Sequence, residues 1–312
     1  PQHWPKGILV NWYITMSGGK ISKSKGGARP IHDAAERFGV DALRLFYAHI
    51  ASLYVDVVWE DERVEHYRDR LERTWAQVHE MLSMDSEEPT PLDGWLDARL
   101  RSRLSRLSSY MREYDVRSYS NEVYFEVPQD LRWYVKRGGR SRTAVRKAVE
   151  TWVTLMAPVT PHIAEELWEA MGNERFVSTR QIPEGVVTDD VLREEANEKL
   201  VEGLATDVSE ILKVTGVKPV KLVVMTAPEW KRDMLRAALS QPKGKLDISS
   251  LIKSTMAKVK APGAKKEVPA YAKELASVLG TSSEQDRKAM SLDIDELSVL
   301  KGASPFLKEQ FG

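Results

Sequence analysis

Lys20, Lys23 and Lys25 stand among Ser22, Ser24, Gly26 and Gly27, and no acidic residue lies between Asn11 and Ala28. Serine and glycine leave the backbone free to close on a ligand and expose N–H and O–H donors. Lysines at this spacing bring mobile point charges suited to phosphate. The chemistry that results is stabilisation of a polyphosphate while negative charge moves during transfer. The bland alternative is a solvated basic loop, and the flanks weigh against it. Upstream, Gly7-Ile8-Leu9-Val10 runs into Trp12-Tyr13-Ile14-Thr15, a β-branched and aromatic stretch that reads as a buried strand. Downstream, Pro30 opens a helix that continues through Asp33-Ala34-Ala35-Glu36-Arg37-Phe38 with its acids early. Strand, lysine loop and helix in this order place the loop at the carboxyl end of a strand, where open α/β sheets bind ligands.

The elements that must hold this loop follow along the chain. Residues 1–58 are mixed α/β and too short to close a doubly wound sheet alone. Residues 59–185 read as an antiparallel helix bundle. Val64, Tyr67, Leu71, Trp75, Val78 and Leu82 recur at spacings of three and four and predict one apolar face. A helix is expected over 115–137, kinked at Pro128. Thr160 is placed to cap the helix that opens at Pro161, and His162 reads as a structural residue there with no metal-binding role. A turn-rich linker leads to residues 190–312, read as a smaller α/β module in which Val220-Lys221-Leu222-Val223-Val224-Met225-Thr226 is strand-like and Lys258–Pro269 is exposed. The fold class is mainly α with α/β ends.

The formal net charge is zero and cysteine is absent, which removes disulfides and thiolate metal sites. No apolar run approaches the roughly 20 residues needed to span a bilayer, so a cytoplasmic protein without membrane contact is expected. Charge is nevertheless uneven. Residues 131–149 hold seven arginines and lysines and no acid, and residues 248–266 hold five lysines and no acid. Separate basic islands on a neutral protein suit an RNA touched at several places. In the first island Arg132, Lys136, Arg137 and Arg140 surround Trp133, combining cations with an aromatic as phosphate and base contact requires. Trp133, at helical spacing beside Tyr134, fits a core position better than a stacking platform.

Lys20-Ile21-Ser22-Lys23-Ser24 resembles the KMSKS loop of class I aminoacyl-tRNA synthetases, and Gly39-Val40-Asp41-Ala42-Leu43-Arg44 is similar to the G-x-D-x-x-R helix that follows it. His3-Trp4-Pro5-Lys6-Gly7, Asp130-Leu131-Arg132-Trp133-Tyr134 and the run Ala157-Pro158-Val159-Thr160-Pro161-His162 are similar to segments of leucyl enzymes of the archaeal and eukaryotic-cytosolic type. The resemblance implies a C-terminal portion of such an enzyme: catalytic-domain piece 1–58, anticodon-binding-type bundle 59–185, and an incomplete tRNA-binding module 190–312. It implies ATP with Mg2+ as substrate, Lys23 on the leaving phosphates, Lys20 supporting the loop, and Ser22 and Ser24 donating hydrogen bonds or holding it closed. It implies tRNA(Leu) as partner, with Arg132, Trp133, Lys136, Arg137 and Arg140 facing it. Trp12 stands where the family has a small glycine beside the adenosine, which implies crowding there. No H-x-G-H pair occurs among the six histidines. Leucine and the other half of the ATP site are therefore expected from an N-terminal half outside this chain, in a longer polypeptide or a partner subunit of a split enzyme, and the chain alone is expected to be inactive. Two other readings stand beside this one: a non-catalytic tRNA-binding or assembly module, and a portion of an isoleucyl, valyl or methionyl enzyme.

Overall fold

The β-branched run ahead of the lysines forms a strand, but a short one. The computed structural model describes residues 4, 7–8, 10, 13–16, 19–20, 31–51, 56–260 and 262–311. Strand β1 is Ile14–Met16, β2 is Gly19–Lys20 and β3 is Val57–Trp59, in the order β2-β1-β3. β1 runs antiparallel to β2, with Thr15 opposite Lys20, and parallel to β3, with Ile14 opposite Val57. Helices α1 (Ile31–Phe38) and α2 (Val40–Ile50) lie in the crossover between β1 and β3. Gly39, at φ 85°, makes the break between them in a conformation that a side chain would strain. Among the described residues, the buried strand expected from Gly7 onward is limited to β1. Ile8 and Val10 are exposed and lie outside the ladders. A strand buried on both faces needs neighbouring strands and covering layers, and three strands are all that the described residues provide.

The chain divides into two compact units, Pro1–Val187 and Thr188–Gly312. In the first, Phe38, Phe46, Val57 and Val64 form a small core beside the sheet. A larger core fills a bundle made of α3 (Asp61–Leu82), α4 (Leu92–Arg112), α5 (Val116–Asn121), a π-helical turn (Glu122–Glu126), α6 (Val127–Lys136), α7 (Arg142–Met156) and α8 (Pro161–Ala170). Trp152, Tyr119, Tyr124 and Tyr134 are its largest fully buried members, and Tyr67 packs against both cores. On α3 the expected apolar face holds at Val64, Leu71 and Val78, whereas Trp75 lies outside it and rests on the His79 ring. The helix expected over 115–137 is three successive pieces. Pro128 lies in the first turn of α6, directly after the widened turn, and the Val123 carbonyl five residues before it accepts from Trp152 Nε1. After a 3-10 turn at Val177–Thr179, the linker closes onto α4 at Gly185, where a Cβ would collide with the Arg101 carbonyl and the Ser105 amide.

In the second unit the described secondary structure is helical: α9 (Asp189–Thr215), α10 (Glu229–Leu239), α11 (Ile248–Lys258), α12 (Pro262–Thr281), α13 (Glu284–Ser291), α14 (Glu296–Gly302) and α15 (Ser304–Phe311). The strand expected over Val220–Thr226 has no ladder partner among the described residues, and Val220 and Met225 are almost fully exposed. Strand propensity acts only where a neighbour can pair the backbone. The stretch around Pro262 and Pro269 forms the start of α12; Lys258, Lys260, Gly263, Lys265 and Lys266 are exposed as expected, while Val268 is buried in the core of Met234, Leu251, Ala272 and Leu279.

Candidate functional site

The sequence places its chemistry at Lys20, Ser22, Lys23 and Ser24. β2 ends at Lys20 and α1 begins at Ile31, so the basic loop spans the connection from the sheet into the crossover helices. Only the backbone of Lys20 belongs to the described structure. Ser22, Lys23, Ser24 and Trp12 lie outside the described residues.

What the structure does describe is how this piece is fastened to the bundle. Asp41, in the first turn of α2, is buried. Its Oδ2 accepts from the Ile163 amide at 2.7 Å, and its Oδ1 lies 2.8 Å from His162 Nδ1. Ile163 is in the first turn of α8, whose capping position is Thr160. The Thr160 hydroxyl makes no capping bond. It is 2.6 Å from the buried Tyr124 hydroxyl, so the expected cap fails and a carboxylate from a distant helix takes its place. One turn along α2, Arg44 donates from Nε to the Val159 carbonyl (2.7 Å) and from Nη2 to that of Pro158 (3.0 Å). Two stretches singled out by the sequence, Gly39–Arg44 and Ala157–His162, thus meet as one joint.

The Asp130–Tyr134 stretch is also largely structural. Asp130 accepts from Arg99 at 3.1 Å and from Arg103 at 2.7 Å, and Arg103, only 4% exposed, also donates to Glu122 and Glu126. Burial opposes ionisation of Glu122, but hydrogen bonds and charge from Arg106 and Arg103 hold its carboxyl below the usual range. Tyr134 donates to Asp93 Oδ1 at 2.6 Å and accepts from the Ser141 amide; burial and then Asp93 push its phenol up to about 12. Trp133 is half-buried against the bundle core, with Lys136 Nζ 5.6 Å from its ring centroid. Lys136, Arg132 and Arg140 are exposed, and Arg137 is partly so. Arg132 donates to Gln77 Oε1 across the α3–α6 cleft. The first basic island is smaller than its sequence suggests: Lys147 pairs with Asp97 at 2.6 Å, Arg146 with Glu150 at 3.1 Å, and Arg142 faces Glu87 at 3.4 Å.

Two features escaped the sequence reading. Arg70 and Arg73 on α3 share the cleft with Arg132, but in sequence they follow an acid-rich run and form no visible patch. His49 lines a polar cavity of about 290 Å³ with Arg117, Ser118 and Asn121. Its ring stacks on Phe125 at 4.7 Å, and its Nδ1 is 2.8 Å from the Tyr67 hydroxyl. Burial, aided by the charges of Arg117 and Arg70, pulls its imidazole below the usual value despite a bond to Asn121. Among the described residues no helix is long and apolar enough to cross a membrane.

Known proteins match both pieces of the chain. A family profile described as "tRNA synthetases class I (M)" matches residues 2–76, and one described as "Anticodon-binding domain of tRNA ligase" matches residues 93–224. The leucine–tRNA ligase of Methanothrix thermoacetophila is 34% identical over 317 residues, which is 99% of this chain and 32% of that protein. The corresponding ligase of Pyrococcus abyssi is 33% identical over 322 residues, 100% of this chain and 32% of that protein. Among solved structures, a chain of the "ternary complex of Agrobacterium radiobacter K84 agnB2 LeuRS-tRNA-LeuAMS" aligns with TM-score 0.49 and 23% identity, over 57% of this chain and 24% of its own. The chain spans about a third of the length of the ligases it matches. With two synthetase profiles in order along it and leucine–tRNA ligases aligned from end to end, the chain belongs to the class I aminoacyl-tRNA synthetase family, as a portion of its leucyl type.

Proposed function

We propose that this chain supplies a leucyl-tRNA synthetase with its KMSKS-type loop and its tRNA-contacting helices. The observation that carries the reading is the joint at Asp41 and Arg44, which fixes the strand–loop–helix piece to the bundle at α8. A device that must bring the acceptor end of a tRNA to an activated amino acid needs such a fixed relation between the nucleotide loop and the RNA-holding helices. The division into a catalytic-domain piece (1–58), a bundle (59–185) and a C-terminal tRNA-binding module (190–312) belongs to this proposal.

The reaction is ligation of leucine to tRNA(Leu) through leucyl-adenylate. The substrate ATP arrives with Mg2+ on its phosphates. Lys23 neutralises the leaving pyrophosphate as the leucine carboxylate attacks the α-phosphorus. Lys20 supports the loop, and Ser22 and Ser24 donate to phosphate oxygens or hold the loop closed. The exposed apolar side chains Trp4, Ile8, Val10 and Tyr13 suit packing against the remainder of the catalytic domain, which brings the leucine pocket and the H-x-G-H residues. On the bundle, Arg132, Trp133, Lys136, Arg137 and Arg140 face the RNA, the cations on phosphates and Trp133 with its partly exposed edge.

The test is reconstitution. The chain is mixed with the corresponding H-x-G-H half and assayed for charging of leucine tRNA. Charging that requires both halves is expected. Binding of tRNA without charging in any combination overturns the catalytic assignment, and absence of tRNA binding overturns the whole reading.

A further inference from the structure

Arg70 and Arg73 on α3 and Arg132 on α6 line one cleft of about 230 Å³, together with Thr74, Gln77 and Glu80. Several other arginines of this unit face carboxylates. Arg103 has three, Arg106 has Glu122, and Arg37 has Asp61 and Glu65. Arg70 and Arg73 make no ion pair among the described residues, and the single acid of the cleft, Glu80, pairs with none of its three arginines. Two of the three side chains are held in place by uncharged partners. Arg70 lies over the Phe125 ring at 4.4 Å, and Arg132 donates to Gln77 Oε1 at 2.9 Å, while Gln77 Nε2 donates to the Pro128 carbonyl at 2.9 Å. Burial first, and then the like charges of Arg73 and Arg132, lower the proton affinity of Arg70. Convergent, preset and unneutralised guanidinium groups are what a phosphodiester needs, because each offers a planar pair of N–H donors to two phosphate oxygens. A cleft of this size holds a phosphate and a few waters, each water taking about 30 Å³ in the liquid.

We infer that the α3–α6 cleft is a backbone-phosphate site for the bound tRNA, with Arg70, Arg73 and Arg132 as its donors. The inference rests on the reading of the chain as tRNA-contacting and gives that reading a specific address. Lys136 follows Arg132 by four residues and lies on the same face of α6, so the cleft continues into the patch around Trp133. Arg70 and Arg73 thereby join a track that the sequence places between Arg132 and Arg140.

The experiment measures binding of the full 312-residue chain to a leucine tRNA transcript by fluorescence anisotropy, over about 50–300 mM salt. Arg73 is exposed, so Arg73→Gln leaves the fold intact. It is expected to weaken binding about three-fold and to reduce the slope of log K against log salt by about 0.7–0.9. Arg70→Gln with Arg73→Gln is expected to weaken binding about ten-fold and lower the slope by about 1.5. Arg101→Gln, which removes a surface partner of Asp97, is expected to leave both unchanged. If the parent binds and the Arg70/Arg73 pair can be replaced with no change in affinity or slope, the cleft is refuted and the tRNA-contacting reading stands. If the parent does not bind tRNA, both fall.

Discussion

The carboxylate of Asp41 caps the amide of Ile163, 122 positions further along the chain, at 2.7 Å. The residue stationed at that helix start, Thr160, is engaged with Tyr124. Asp41→Ala is expected to lower the stability of the 1–187 unit by about 1–2 kcal/mol, the usual worth of a helix cap. Asp41→Asn keeps an acceptor and should lose less than half of that. Urea unfolding reads both as a shifted midpoint at constant slope. An alanine variant as stable as the parent would show that the joint is held by packing and Arg44 alone.

Arg103 and Glu122 form the centre of a buried ionic cluster around the π-helical turn. Glu122→Ala strips Arg103 and Arg106 of a shared partner and is expected to cost about 3 kcal/mol, as for other broken buried pairs. Replacing Arg103, Glu122 and Asp130 together with apolar residues of similar volume should restore part of the loss. Thermal unfolding of the single and triple variants decides it. Equal losses in both would mean that the charges themselves stabilise the bundle.

Protonation of His49 should weaken the 1–187 unit. Its folded-state value is lowered by burial and by Arg117 and Arg70, so the unfolded chain binds the proton more tightly. The stability it contributes is present above the unfolded value of about 6.5 and is lost as pH falls through the folded value. The depressed carboxyl of Glu122 acts in the same direction at lower pH, below about 4. Thermal midpoints between pH 7.5 and 5 should fall for the parent and stay flatter for His49→Gln. A parallel fall in both would remove His49 as the cause.

Lys23→Ala in the complete enzyme is expected to slow leucine-dependent ATP–pyrophosphate exchange by on the order of 10²-fold, the typical effect of losing one charged donor at a developing charge. Lys25→Ala, outside the five-residue match, should change the rate only a few-fold. Exchange by the Lys23 variant within a few-fold of the parent would remove it from the leaving phosphates.

Sequence alone was enough for the elements whose signals are local. The helices α3, α7, α9 and α10 follow from apolar spacing and breakers, because helical hydrogen bonds close within four residues. The family could be read there too, since the stretches that carry it are short and contiguous. Tertiary structure decided whatever needed a distant partner. Val220–Thr226 has strand composition and no strand to pair with. Thr160 has a capping side chain, but a tyrosine elsewhere in the bundle takes its hydroxyl and Asp41 caps in its stead. Arg142, Arg146 and Lys147 read as a basic island until Glu87, Glu150 and Asp97 are seen to answer them, while Arg70 and Arg73 sit among acids in sequence and make no ion pair among the described residues. Charge is counted along the chain but felt across a few ångströms, and only the packing of α3 against α6 sets which charges share that distance.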